Sequence, residues 1–124
     1  MKLATIIDPR FTEAYRKLID TSMPMKTAYK LKKIATQIVE EQKMYEESRR
    51  GLLSEFGDKN KDGSLVSDEN GMVKMSGDNG RIFVEKHREL LEIDIDVGTV
   101  SIEDMGNISV TTNDLIILDG IFKD

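Results

Sequence analysis

The stretch from Lys26 to Phe56 contains no proline and only one glycine, Gly51, and this lack of helix breakers constrains the chain more than any other feature. Proline and glycine are the residues that cost most inside a helix. The stretch therefore predicts a single helix of about 30 residues, about 45 Å long at 1.5 Å per residue. Alternating steps of three and four residues pick out Ala28, Leu31, Ala35, Ile38, Gln42, Tyr45, Arg49, Leu52 and Phe56 as a heptad seam with polar residues at two places. Such a seam needs a helical neighbour. The other helices read from the sequence, Pro9–Ile19 and Arg81–Leu91, are about 11 residues each, or about 16 Å. Laid end to end they fall short of the long helix. Part of the seam, at Ile38, Gln42, Tyr45, Arg49 and Leu52, is therefore expected to meet a second polypeptide, another copy or a different protein.

Charge is segregated along the same helix. Lys26, Lys30, Lys32 and Lys33 crowd its start, and Glu40, Glu41, Glu46 and Glu47 follow. Lysines at a helix N-terminus oppose the macrodipole. Either solvent screens them or an acidic partner binds there.

The segments on either side are shorter. Leu3–Ile7 is apolar and partly β-branched, which reads as a short strand or extended arm over residues 1–8, and Asp8-Pro9 opens a helix. Phe11, Ala14, Tyr15, Leu18 and Ile19 lie on one face of that helix. Phe83, Val84, His87, Leu90 and Leu91 form a similar face. Ile93, Ile95 and Val97 alternate with Asp94, Asp96 and Gly98 as a half-buried strand. Thr112-Asn113-Asp114 caps a closing helix with Leu115, Ile116, Leu118, Ile121 and Phe122, apolar nearly all round and so expected to pack on the core or on another protein.

Residues Asp58 to Glu69 fit the calcium-loop pattern D-x-[DN]-x-[DN]-G-x5-E, with Asp58, Asn60, Asp62, the Ser64 carbonyl and Glu69 as oxygen ligands. Three features favour a turn and hairpin instead. Asn70-Gly71 follows Glu69 where an exiting helix should start. Placing that pair at the turn centre sets Asp68 opposite Val73 and Val66 opposite Met75, which puts Val66, Val73 and Met75 on one apolar face without any ion. Val66 also fills the ninth loop position, where a polar side chain is usual. Residues 57–80 are thus expected to form a turn, hairpin and loop insertion.

Composition narrows the function. Hydrophobic residues make up 39% and charged residues 33%, with four Phe, three Tyr and no Trp, so the core is modest. A net charge of −5 disfavours nucleic acid, whose phosphates are bound by clustered Lys and Arg. No apolar run reaches the roughly 20 residues that span a bilayer, and Met1–Ile7 is too short for a signal peptide. Without cysteine there is no disulfide, thiolate nucleophile or cysteine metal site. His87 is the one histidine, and no serine motif or second imidazole accompanies it in sequence. No catalytic residue, cofactor or small-molecule substrate is expected.

The order of segments has a resemblance. A long charged helix ending in SEFGDKNKDGSLVSDENGMVKM (Ser54–Met75), the ELLEIDIDV segment ending at Val97 and the closing TTNDLIILDGIF ending at Phe122 resemble a family of small proteins of unknown function encoded by tailed phages and prophages. The resemblance covers roughly residues 12–122, and its most specific piece is the DENG hairpin. It implies a non-enzymatic protein that binds other proteins: a small accessory or connector component of the virion, or else an inhibitor of a host defence or replication protein. The location it implies is the virion or the host cytoplasm. The fold expected is α+β, a long amphipathic helix packed with shorter helices plus a β-hairpin and short strands, in one domain over residues 1–124.

Overall fold

The computed structural model describes residues 1–123; Asp124, the last residue of the expected domain, lies outside them. The described chain is mostly helical, with α1 (Leu3–Ile7), α2 (Pro9–Ile19), α3 (Met25–Phe56), α4 (Asn79–Leu91) and α5 (Thr112–Leu118). A small sheet pairs β1 (Val100–Ser101) with β2 (Phe122–Lys123). The α+β composition holds. Two compact units divide the chain: Met1–Gln42 together with the segment from Asp94 onward, and Lys43–Ile93.

In the first unit, Asp8 ends α1 and starts α2. Its carboxylate accepts a hydrogen bond from the Arg10 backbone N–H at 2.9 Å, and Pro9 occupies the first helical turn, where its missing N–H costs nothing. Phe11, Ala14, Tyr15 and Leu18 turn inward from α2, and Thr27, Leu31, Ile34 and Ile38 from α3. Each large aliphatic among them contributes about 1.5–3 kcal/mol by leaving water. Three directional bonds fix α3 beside that core. The Tyr15 hydroxyl donates to the Leu31 carbonyl at 2.5 Å, Thr27 Oγ1 to the Asp104 carbonyl at 2.5 Å, and Gln42 Nε2 to the Ile6 carbonyl at 2.9 Å. Burial holds the Tyr15 phenol far above its ordinary range, so it stays a donor.

The second unit holds Lys43–Phe56 of α3, the segment 57–78 and α4. Gly57 ends α3 in a cramped position, since a Cβ built there would lie 2.6 Å from the Leu53 carbonyl oxygen and 2.7 Å from Val73 Cγ1. Tyr45 and Phe83 meet at His87 on α4. The Tyr45 hydroxyl is 2.9 Å from His87 Nε2, and the Phe83 ring stacks on the imidazole at 5.7 Å between centroids.

Several expectations are corrected. Leu3–Ile7 is helical rather than an extended arm, because Leu3 and Ile6, three residues apart, both bury on one helical face. The buried stripe of α3 runs through Thr27 and Ile34, and Ala28 of the expected seam is exposed. The alternating Ile93–Val97 segment forms no ladder; Asp94 makes one isolated bridge with Lys2, and Ile95 N–H donates to the Met1 carbonyl at 2.8 Å. The closing helix stops at Leu118. Asp119–Ile121 tightens into a 3-10 turn, which releases Phe122–Lys123 into a parallel pair with Val100–Ser101.

The hairpin is corrected too, since the one regular sheet is parallel and residues 58–76 make only isolated antiparallel bridges, Lys59 with Leu65 and Ser67 with Val73. The register there differs by one residue, with Ser67 rather than Asp68 opposite Val73. Asp68 is the cause. Its backbone N–H donates to the Met72 carbonyl at 2.7 Å, its carbonyl accepts from Gly71 at 3.1 Å, and its carboxylate accepts from the Asn70 and Met72 N–H groups at 2.9 and 3.0 Å. Glu69-Asn70 thus become the turn centre, and Gly71, at φ +79°, takes the left-handed position after it.

Two glycines give opposite stability outcomes. Gly51→Ala, with nothing near the added Cβ and a helical backbone, should raise stability by about 0.5–1 kcal/mol. Gly57→Ala should lower it by about 1–3 kcal/mol through overpacking. Thermal melts of both variants test the pair.

The Arg10 guanidinium, by hydrogen bond and by charge, holds the Asp8 carboxyl below its ordinary 3.8. A lowered folded-state value adds stability that is complete above 3.8 and lost as pH falls through the lowered value. Asp8→Asn keeps the cap but removes the charge. The gap in melting temperature between parent and Asp8→Asn should therefore close between pH 5 and pH 2; a constant gap would mean that the ion pair contributes nothing.

Candidate protein-docking surface

α5 is positioned on α2 by local chemistry at its first turn. Thr111 Oγ1 accepts from the Asp114 N–H at 3.1 Å, and Lys17 of α2 lies 3.7 Å from the Asp114 carboxylate. Leu118 and, just beyond the helix, Ile121 are fully buried. Beside these buried residues apolar side chains stay open, with Leu115 41% and Ile116 70% exposed and Val110, just before the cap, 41%. A groove of about 570 Å³ runs beside Arg10, Lys17, Asn113 and Ile116, and a shallower one of about 350 Å³ beside Thr112, Leu115 and Asp119. Large apolar side chains grouped in this way, with charged groups on the rim, are the usual make-up of a protein-binding patch.

The residues singled out in the sequence fall elsewhere. Ile38, expected at an interface, is 6% exposed and belongs to the core of the first unit. Gln42, in that unit, is held by the Ile6 carbonyl. In the second unit Tyr45 is half-buried against His87, Arg49 pairs with Glu46 at 3.6 Å on the same helix, and Leu52 is half-buried. Burial first of all pushes the Tyr45 phenol up; Arg49 draws it back and Glu46 adds to the rise. The seam is thus largely engaged within the chain. In the first unit three separate elements, α1, α2 and the 103–105 turn, bond to α3, which the comparison of helix lengths leaves out.

The calcium-like residues serve the loop's own backbone. Asp58 Oδ1 accepts from the Ser76 N–H at 3.0 Å and Oδ2 from its hydroxyl at 2.5 Å. Asp62 accepts from the Ser64 N–H and hydroxyl at 3.0 and 2.6 Å, and Ser64's hydrogen bonds hold the Asp62 carboxyl below its usual value. Asn60 donates from its backbone to the Ser64 carbonyl at 2.8 Å and from its side chain to the Ser64 hydroxyl at 3.0 Å. Glu69 is exposed in the turn. Among the described residues no three carboxylates or imidazoles gather as a metal would require.

The open α5 face was only half legible in the sequence. Its all-round apolarity was visible, but which side meets the core depends on α2. Compared with protein-family models, curated proteins and solved structures, the chain gives no match. No helix among the described residues is long and apolar enough to cross a membrane.

Adding about 1 mM calcium, or EGTA, should leave the melting temperature unchanged. A site with Kd near 10 μM would instead raise stability by about 2.7 kcal/mol, which calorimetry would register as a shift of several degrees.

Proposed function

We propose that this chain acts by binding other proteins rather than by catalysis, as a small accessory or connector component of a tailed-phage virion. The observation that carries this reading is the exposed Leu115–Ile116 pair on α5, flanked by grooves and by charged side chains. A chain with a modest apolar content leaves such residues in water at a cost of about 25 cal/mol per Å², a cost that a partner surface removes. The enclosure of His87 between Tyr45 and Phe83 supports a structural use for the one imidazole. The likeness of Ser54–Met75 and of the segments ending at Val97 and Phe122 to phage proteins supports the setting, the virion or the host cytoplasm. Nucleic acid, membranes and small-molecule substrates have no part in the proposal.

The experiment is proteomic and genetic. Purified virions of the encoding phage should contain the chain at a fixed ratio to their structural proteins. The double variant Leu115→Glu/Ile116→Glu should be lost from virions while its circular dichroism spectrum and melting temperature match the parent, because both side chains lie outside the core. If the chain is absent from virions and instead purifies with a host defence or replication protein, the inhibitor reading replaces this one.

A further inference from the structure

The lysines at the start of α3 are resolved by the structure into different states. Lys30 is neutralised by Asp104 at 3.0 Å, and its ammonium is the chief cause of the lowered Asp104 carboxyl, with Lys26 adding a smaller pull. Lys33 rests over the Tyr29 ring at 5.0 Å. Lys32 alone lines an apolar groove of about 480 Å³ formed by the end of α2, the linker after it and the first turns of α3. Ile19, Met23, Leu31 and the two alanines Ala28 and Ala35 supply its apolar wall. Among the described residues no carboxylate lies within ion-pair distance of Lys32.

We propose that this groove is a second docking site, separate from the α5 face, and that its occupant is an amphipathic helix with acidic flanks from another protein. Two features define that occupant. Ala28 and Ala35 are two turns apart, about 10.5 Å along the axis, and their methyl groups let a second helix approach to the short end of the usual 8–10 Å spacing. An apolar stripe on the incoming helix would cover Ile19 and Met23, which docking through a groove requires. The electrostatics set the sign. Lys32, two turns into α3, is the one charged side chain among the residues that line the groove. The lining thus carries one positive charge, on a chain of net charge −5. An acidic residue on the partner would meet Lys32 at the edge of an apolar surface, where water screens the pair less than in bulk. The same charge rejects a basic helix, so it contributes to partner choice as well as to affinity.

The test uses the full chain and two synthetic peptides, each about 20 residues: a helix with a leucine stripe flanked by glutamates, and the same helix with lysines in place of the glutamates. Fluorescence anisotropy should show binding of the acidic peptide, weakening as salt rises from about 50 to 500 mM, and at least tenfold weaker binding of the basic one. Lys32→Glu should cost the acidic peptide at least tenfold in affinity. Ala28→Arg, at an exposed helical position, should fill the groove and abolish binding while the helical circular dichroism signal is kept. The Leu115→Glu/Ile116→Glu variant should bind the peptide like the parent, so failure of the α5 reading and failure of this one are separable. Equal binding of both peptides, or undiminished binding by Ala28→Arg, would overturn the proposal. So would self-association of the parent in sedimentation that Lys32→Glu removes, because the groove would then be filled by a second copy.

Discussion

The first unit depends on one stripe of α3, Thr27, Leu31, Ile34 and Ile38, removed from water. Burial of apolar surface is non-directional and would tolerate α3 rolling by a few tens of degrees about its axis. The bonds from Tyr15 to Leu31, Thr27 to Asp104 and Gln42 to Ile6 prevent that roll. Each ties a different element to the stripe or its edge, and each satisfies a polar group close to the core that would otherwise be costly. Among the described residues no buried side-chain nitrogen or oxygen is left without a partner.

This arrangement explains where apolar surface is left over. Once α3 has turned its stripe inward, Ala28 and Ala35 face the groove beside Ile19 and Met23, and Lys32 is held at that edge. Once Leu118 and Ile121 are buried, Ile116, two residues before Leu118, is carried to another side of the seven-residue helix, while Leu115, one turn before Leu118, stays 41% exposed. Both open surfaces are by-products of satisfying the core. Their chemistry differs: one is apolar with mixed charges around it, the other apolar with the Lys32 ammonium at its edge.

The segment 58–76 illustrates a different economy, in which carboxylates organise backbone. Asp58 clamps Ser76, Asp62 closes the turn through Ser64, and Asp68 gathers two N–H groups around its own turn. A spacing of acidic residues that resembles a cation loop is thus put to use on local donors. Spacing alone cannot separate the two uses, since oxygen atoms that coordinate calcium are equally good acceptors for N–H and O–H.

What the sequence by itself determined are the features whose causes are local: the unbroken α3, the α2 start at Asp8-Pro9, α4, and a capped start of α5, which the structure moves from Thr112 to Thr111. Helical bonds join residues four apart, so propensity, breakers and caps within a few residues decide them. Tertiary structure decided the rest. It chose between two stripes of α3 that differ by a fraction of a turn, and it made Leu3–Ile7 a helix by giving Leu3 and Ile6 a common surface. It shifted the 58–76 register by one residue through Asp68. It also drew Phe122–Lys123 beside Val100–Ser101, a pairing across some 20 residues of chain that no local pattern in two-residue strands could announce. The candidate docking surfaces belong to this second class, because whether Leu115, Ile116 or Ala28 is open is settled only by what the neighbouring helices have already covered.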